Sequence, residues 1–177
     1  MRVALTGTPG TGKTTVADLL ETELEVVHLN DVIREEGLTE SVDEERDSLI
    51  ADLDAVQSRL DEYESEYGHL LVESHLAHLF DTDRVVVLRC DPDELERRLL
   101  DRGETEAKAL ENAESEALDV ILSEAVERHG EEHVYEVVTT DRSPDAVARE
   151  VEAVFAGERE PSAGTVDYTD WLVGDPE

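Results

Sequence analysis

Apolar residues along this chain fall into two alternating patterns. Short, nearly continuous apolar runs occur at "RVALTG" (Arg2–Gly7), "VVHL" (Val26–Leu29), "HLLVES" (His69–Ser74), "RVVVLRC" (Arg84–Cys90) and "HVYEVVTT" (His133–Thr140). Runs of this length predict strands, and their continuity predicts a sheet covered on both faces. The segments between them carry apolar residues at helical spacing. One helix is expected from Lys13 to about Thr22, with Val16, Leu19 and Leu20 facing inward. "NDVIREEG" reads as a helical turn, with Asn30 or Asp31 as cap and Gly37 as stop. From Val42 to Tyr67 the residues Leu49, Leu53, Val56, Leu60, Tyr63 and Tyr67 step by four or three, which predicts one helix. Asp91 as N-cap and Pro92 at the first helical position open a further helix that ends at Gly103. A longer helix, Glu104 to His129, would bury Leu110, Ala113, Ala117, Leu118, Ile121, Ala125 and Val126. Ser143 and Pro144 open the last one, which runs to about Phe155. Strands alternating with helices predict an α/β fold, a five-stranded doubly wound parallel sheet with helices on both faces.

The first strand runs directly into "GTPGTGKTT", Gly7 to Thr15. Residues Gly7 to Thr14 fit the pattern GxxxxGK[ST] without a gap, between a strand and a helix as that pattern requires. Glycines let backbone N–H groups curl around a phosphate, and the following helix points its positive end at the same place. Lys13 is expected to reach the β- and γ-phosphates, the Thr14 hydroxyl to bind Mg²⁺, and Thr15 to assist at the α-phosphate. The expected ligand is therefore a nucleoside triphosphate, and the fold a P-loop NTPase.

Composition sharpens this. The 177 residues suffice for one α/β domain, and with aromatics at 4% its core must be Leu, Val, Ile and Ala. Asp and Glu number 47 against 15 Lys and Arg, a net charge of -32, and only Lys13 and Lys108 are lysines. Regular apolar periods argue against disorder. Many carboxylates with few lysines suit a very salty cytoplasm, where salt screens self-repulsion. Placing one of the two lysines inside the glycine-rich loop marks that loop as an anion site. The single cysteine, Cys90, excludes an internal disulfide, points to a reducing cytosol and reads as a small buried hydrophobe. No apolar run approaches the ~20 residues of a membrane span, and no signal peptide is expected.

The size fits a small kinase, which needs a second anion site and a mobile lid supplying arginines. Arg34, after the second strand, is a candidate for the acceptor phosphate, or else the helical partner of a carboxylate. Arg98 and Arg102 are four apart on one helix face, either near a transferred phosphoryl group or paired on the surface. Glu73, at the end of the third strand, stands where a carboxylate would hold Mg²⁺ through water. His75 is a candidate to orient a water or contact phosphate, or else a cap or packing residue. His28 and His78 read as packing residues.

"GTPGTGKTT", "HLNDVIREEG", "LLVESHLAHLF", "VVVLRCDPDELERRLLDRG" and "NAESEALDVILSEA" occur in the order and spacing of the adenylate kinase isoenzyme 6 family. The chain resembles that family from about Met1 to Phe155. The resemblance implies Mg²⁺-dependent transfer from ATP to AMP, ATP hydrolysis, and a role in maturation of the small ribosomal subunit. Partners implied are ATP, AMP, a small-subunit ribosomal protein and pre-ribosomal RNA. It implies a kinase-like domain over 1–156, a nucleoside-monophosphate-binding region over about 30–52, a lid over about 101–111 and a tail over 157–177. Gly10, Gly12, Lys13, Thr14 and Thr15 would hold ATP, Arg34 the acceptor phosphate, and Arg102 would be the lid arginine. Glu73 and His75 would stand at the family's Asp-x-His pair, with the acid one methylene longer. Two alternatives remain open: a nucleotide-switched assembly factor, and a kinase for another small acceptor such as CMP or shikimate.

Overall fold

In a computed structural model of the chain, which describes residues 1–43 and 48–174, five parallel strands form one sheet. They are β1 (Arg2–Gly7), β2 (Glu25–His28), β5 (Leu70–Glu73), β6 (Arg84–Arg89) and β7 (Val134–Val138), in the order β2-β5-β1-β6-β7. β1 is central and buried along its whole length, pairing Val3 with Leu71 and with Arg84. The chain leaves β1 between neighbours whose connections run to opposite sides. The crevice at its carboxyl end is where ligands bind in sheets of this kind.

Helices α1 (Lys13–Leu19) and α7 (Pro144–Phe155) cover one face, packing Val16, Ala17, Val147 and Val151 against Leu5, Val86 and Val137. On the other face α2 (Leu29–Glu36), α3 (Leu53–Tyr67) and α6 (Val120–His129) bury Ile33, Val56, Leu60 and Leu122 against Val72, Val85 and Val87. α4 (Pro92–Asp101) and α5 (Glu106–Ala117) sit at the carboxyl end of the sheet around Cys90, Leu95, Leu99 and Ala109. Side chains cap these helices as their sequences require: Asp91 accepts from the amides of Asp93 and Glu94, Thr105 from Lys108 and Ser143 from Ala146. The turn into α2 differs, since His28 and not Asn30 or Asp31 occupies its N-cap position.

Two expected helices are corrected. The stripe from Val42 to Tyr67 is helical only in α3. Ahead of it lies an antiparallel hairpin, β3 (Thr39–Asp43) and β4 (Ser48–Ala51). The chain switches at Asp52, whose carboxylate accepts from the Ala55 amide and starts α3. Leu49 lies on β4, and the resemblance-implied region 30–52 includes residues 44–47, which lie outside the described residues. The expected helix Glu104–His129 is two helices, broken where Asp119 adopts a left-handed φ of 56°. The break leaves Leu110 and Leu118 largely exposed and turns Glu116 inward.

The segment after Gly157 runs along the outer edge of β7. Ser162 donates its amide to Val134 O at 3.0 Å, and its hydroxyl accepts the Glu136 amide at 2.9 Å. An edge strand that would otherwise present unpaired groups is thereby covered. Tyr168 and Trp171 dock farther along, Trp171 donating to Asp93 at 2.6 Å, while Leu172 stays largely exposed. No helix among the described residues is long and apolar enough to cross a membrane.

Candidate active site

The loop from Gly7 to Gly12 leaves β1 and enters α1 with a backbone that only glycine tolerates at key points. Gly12 is the N-cap of α1 at φ 97°. Gly10 has φ 94°, and a Cβ there would come within 2.9 Å of Leu95 and Leu99. Inside the curl, Lys13 is buried and donates to Gly7 O at 2.9 Å and Thr8 O at 3.1 Å. Burial lowers its pKa to about 8. Nearby Glu73 and Glu116 push the other way, and Arg102 adds to the lowering. A buried ammonium whose hydrogen bonds among the described residues go to carbonyl oxygens attracts an anion.

Thr14 and Thr15 are exposed on the first turn of α1. The Thr14 hydroxyl donates to Glu73 Oε1 at 3.3 Å, so the two residues chosen for Mg²⁺ stand side by side. A hydroxyl and a carboxylate, both hard oxygen donors, beside a phosphate cradle fit that ion. The other Glu73 oxygen accepts from His28 Nδ1 at 2.8 Å, and His28 Nε2 lies 3.3 Å from Asp18. His28 therefore belongs to the site, in correction of its reading as a packing residue. His78 is as expected: it is buried and bridges Thr6 and Glu124.

His75 is partly buried, and its pKa falls to about 4. Burial is the main cause, with the charge of Lys13 and then His78 adding to it. At neutral pH it is an uncharged imidazole close to Lys13. His75 lines a groove of about 720 Å³ together with Thr8, Pro9, Leu76, Lys108 and Asn112. The expected lid residues, about 101–111, span the end of α4, the Gly103 turn and the start of α5, where Thr105, Ala107 and Lys108 line the same groove.

Of the arginines, Arg102 caps the end of α4, exposed, close enough to Lys13 to depress its pKa. Arg98 reaches inward and fastens the loop, with Nη1 3.5 Å from Thr11 O and Nη2 3.2 Å from Thr139 O. Its forks are occupied by the protein itself, including Glu94. Arg34 stands apart on α2, 67% exposed and 3.3 Å from Asp31. The structure thus brings Gly10, Gly12, Lys13, Thr14, Glu73, His75 and Arg102 together and leaves Arg34 facing solvent.

Residues 3–119 match the AAA domain family. The chain is 63% identical over 172 residues to a "Putative adenylate kinase" of Natronomonas pharaonis, covering 97% of this chain and all of that protein. It is 60% identical over 173 residues to one of Halobacterium salinarum, covering 97% of this chain and 100% of that protein. The chain belongs to the archaeal adenylate kinase family of P-loop proteins. Its fold is similar to a shikimate kinase of Bacteroides thetaiotaomicron, with TM-score 0.58 at 18% identity, covering 88% of this chain and 98% of that one. A gluconokinase of Sinorhizobium meliloti superposes with TM-score 0.55 at 16% identity, over 89% and 92% of the two chains.

Two further residues of this family member escaped the sequence reading. Glu116 is 3% exposed and accepts the Thr8 hydroxyl at 2.6 Å, and Arg89 is 1% exposed against it. Each carried a signal. Glu116 interrupts the buried Ala113–Ala117 face of α5, and Arg89 ends a strand whose preceding residues, Val85–Leu88, are apolar and buried.

Proposed function

We propose that the protein is a Mg²⁺-dependent adenylate kinase that moves the γ-phosphoryl group of ATP to AMP, giving two ADP. The observation that carries this reading is the buried Lys13 in its glycine cradle beside the Thr14–Glu73 pair. The family and the kinase-like fold support it. Mg²⁺, when bound, would neutralise phosphate charge. Thr14 would bind it directly, and Glu73 would hold it through water. Lys13 leaves the loop carbonyls for the β- and γ-phosphates, whose charge favours its ammonium form. Arg102 swings over the transferred group, and Arg34 gives up Asp31 for the AMP phosphate. Catalysis is then positioning and charge neutralisation, with no covalent intermediate.

The neutral His75 beside Lys13 favours a second reading of the same site, as an ATPase. An uncharged imidazole accepts a hydrogen bond from an attacking water and so orients it. In that reading hydrolysis drives a binding switch in assembly of the small ribosomal subunit, a role that rests on the family resemblance alone. The test follows ADP in molar KCl with Mg²⁺-ATP, with and without AMP. AMP-stimulated ADP formation supports the kinase. Phosphate release indifferent to AMP supports the switch. Arg34→Ala is expected to raise the KM for AMP about tenfold and leave that for ATP unchanged, as loss of one charge-assisted phosphate contact implies.

A further inference from the structure

The phosphate loop is anchored by a buried chain of charged groups that ends in the C-terminal segment. Thr8, 2% exposed, donates its hydroxyl to Glu116 Oε2 at 2.6 Å. Glu116 Oε1 accepts from Arg89 Nε at 2.9 Å and from the Cys90 amide at 3.0 Å. Arg89 donates onward through Nη1 to Glu136 Oε2 at 2.6 Å and through Nη2 to Asp119 Oδ1 at 2.5 Å. The remaining Glu136 oxygen accepts the amide of Thr165 at 2.8 Å. Tyr168 lays its ring over the Arg89 guanidinium, 5.5 Å from centroid to carbon. The path therefore runs from the loop after β1 through α5, β6 and β7 into the segment that covers the edge of the sheet.

Its charges explain why that segment is needed. One arginine faces three carboxylates, and Glu116, Glu136 and Arg89 are each 3% exposed or less. The excess negative charge is eased by the nearby Lys13 ammonium and by further donors, among them the amides of Cys90 and Thr165. One donor thus comes from the C-terminal segment. At the other end stands Thr8, whose carbonyl is one of the two groups that hold Lys13 Nζ. Thr8 is the joint between the network and the lysine. A well-packed apolar cluster would stabilise a fold as well as this network does, but it would not fix the direction of a loop carbonyl.

We propose that Glu116 is a positioning residue for the ATP site, holding the phosphate loop through Thr8, and that the C-terminal segment completes this support through Glu136 and Arg89. The proposal rests on the reading of the loop as an ATP site. None of these residues contacts nucleotide in that reading. They act by presenting the loop already in its binding shape, which lowers the ordering cost of ATP capture.

The test is ATP binding by calorimetry in molar KCl on the full chain. Thr8→Val keeps the shape and removes the donor, Thr8→Ser keeps the donor, Glu116→Gln removes the charge, and Glu136→Gln weakens the arm to the C-terminal segment. Unfolding midpoints without nucleotide fix the folded fraction of each. Thr8→Val and Glu116→Gln are each expected to weaken ATP binding about tenfold, the scale of one lost hydrogen bond to a charged group. Their combination should weaken it no further, Glu136→Gln should weaken it about threefold, and Thr8→Ser should bind like the native chain. Wild-type affinity in Thr8→Val and Glu116→Gln, or full additivity of the two, overturns the proposal. Wild-type affinity in Glu136→Gln overturns the part assigned to the C-terminal segment. Lys13→Ala separates the two levels. If it too binds ATP normally, the reading of the loop falls and takes the proposal with it.

Discussion

Glu73→Gln should move two measurements in opposite directions. Glu73 is 6% exposed, accepts from Thr14 at 3.3 Å and from His28 at 2.8 Å, and acts on the charge of Lys13. Gln is nearly isosteric, so packing survives and one negative charge is lost. In the absence of Mg²⁺ that charge opposes an incoming triphosphate. At a separation of about 6 Å and an effective dielectric near 20, the repulsion is roughly 3 kcal/mol. Molar salt screens much of this, leaving on the order of 1 kcal/mol, or about fivefold tighter binding of Mg²⁺-free ATP. With Mg²⁺ present the same charge is an asset. Its loss should lower kcat about a hundredfold, in line with removal of one group that stabilises transition-state charge. The assays are calorimetry with ATP in EDTA and ADP formation across a Mg²⁺ titration. A variant that binds Mg²⁺-free ATP more weakly, or that turns over normally at the native Mg²⁺ midpoint, would refute the placement of Glu73 at the metal.

Net charge -32 predicts that the fold depends on salt. The melting temperature should fall by tens of degrees from molar KCl to dilute buffer, and an unchanged value would contradict the reading of the composition. His75 predicts acid lability. Its folded pKa of about 4 lies below the 6.5 of an unfolded histidine, so its contribution is complete above pH 6.5 and is lost as pH falls toward 4. The difference amounts to at most about 3 kcal/mol. Denaturant titrations of native chain and His75→Gln should therefore diverge across that window, and parallel curves would show that the imidazole is not desolvated.

The readable part of this protein is the part whose geometry is local. Gly7–Thr14 dictates its own curl, since Gly10 and Gly12 take φ values that other residues avoid. The strands announced themselves because a sheet whose central strands are buried on both faces leaves little polar alternation to confuse. The hairpin before α3 was hidden by an accident of spacing, in which Leu49 continues the helical step of Leu53 and Val56. The break at Asp119 was hidden for a different reason. Its left-handed backbone is held where the Asp119 carboxylate meets Arg89, thirty positions away in sequence. The same holds for Glu116 and Glu136. Each looks like one more charge in an acidic chain until the fold brings it to Arg89. His28 joined the site through Glu73 for the same reason: β2 and β5 pair in register at those two residues.

The central claim is that the Gly7–Thr15 loop delivers the ATP γ-phosphoryl group to AMP. The most direct measurement is a single turnover with γ-labelled ATP, Mg²⁺ and AMP in molar KCl, on native chain and Lys13→Ala. The label should appear in the β-phosphate of ADP with native chain and be lost from that product with Lys13→Ala. Label released only as free phosphate at a rate indifferent to AMP, or labelled ADP formed equally by Lys13→Ala, would contradict the account.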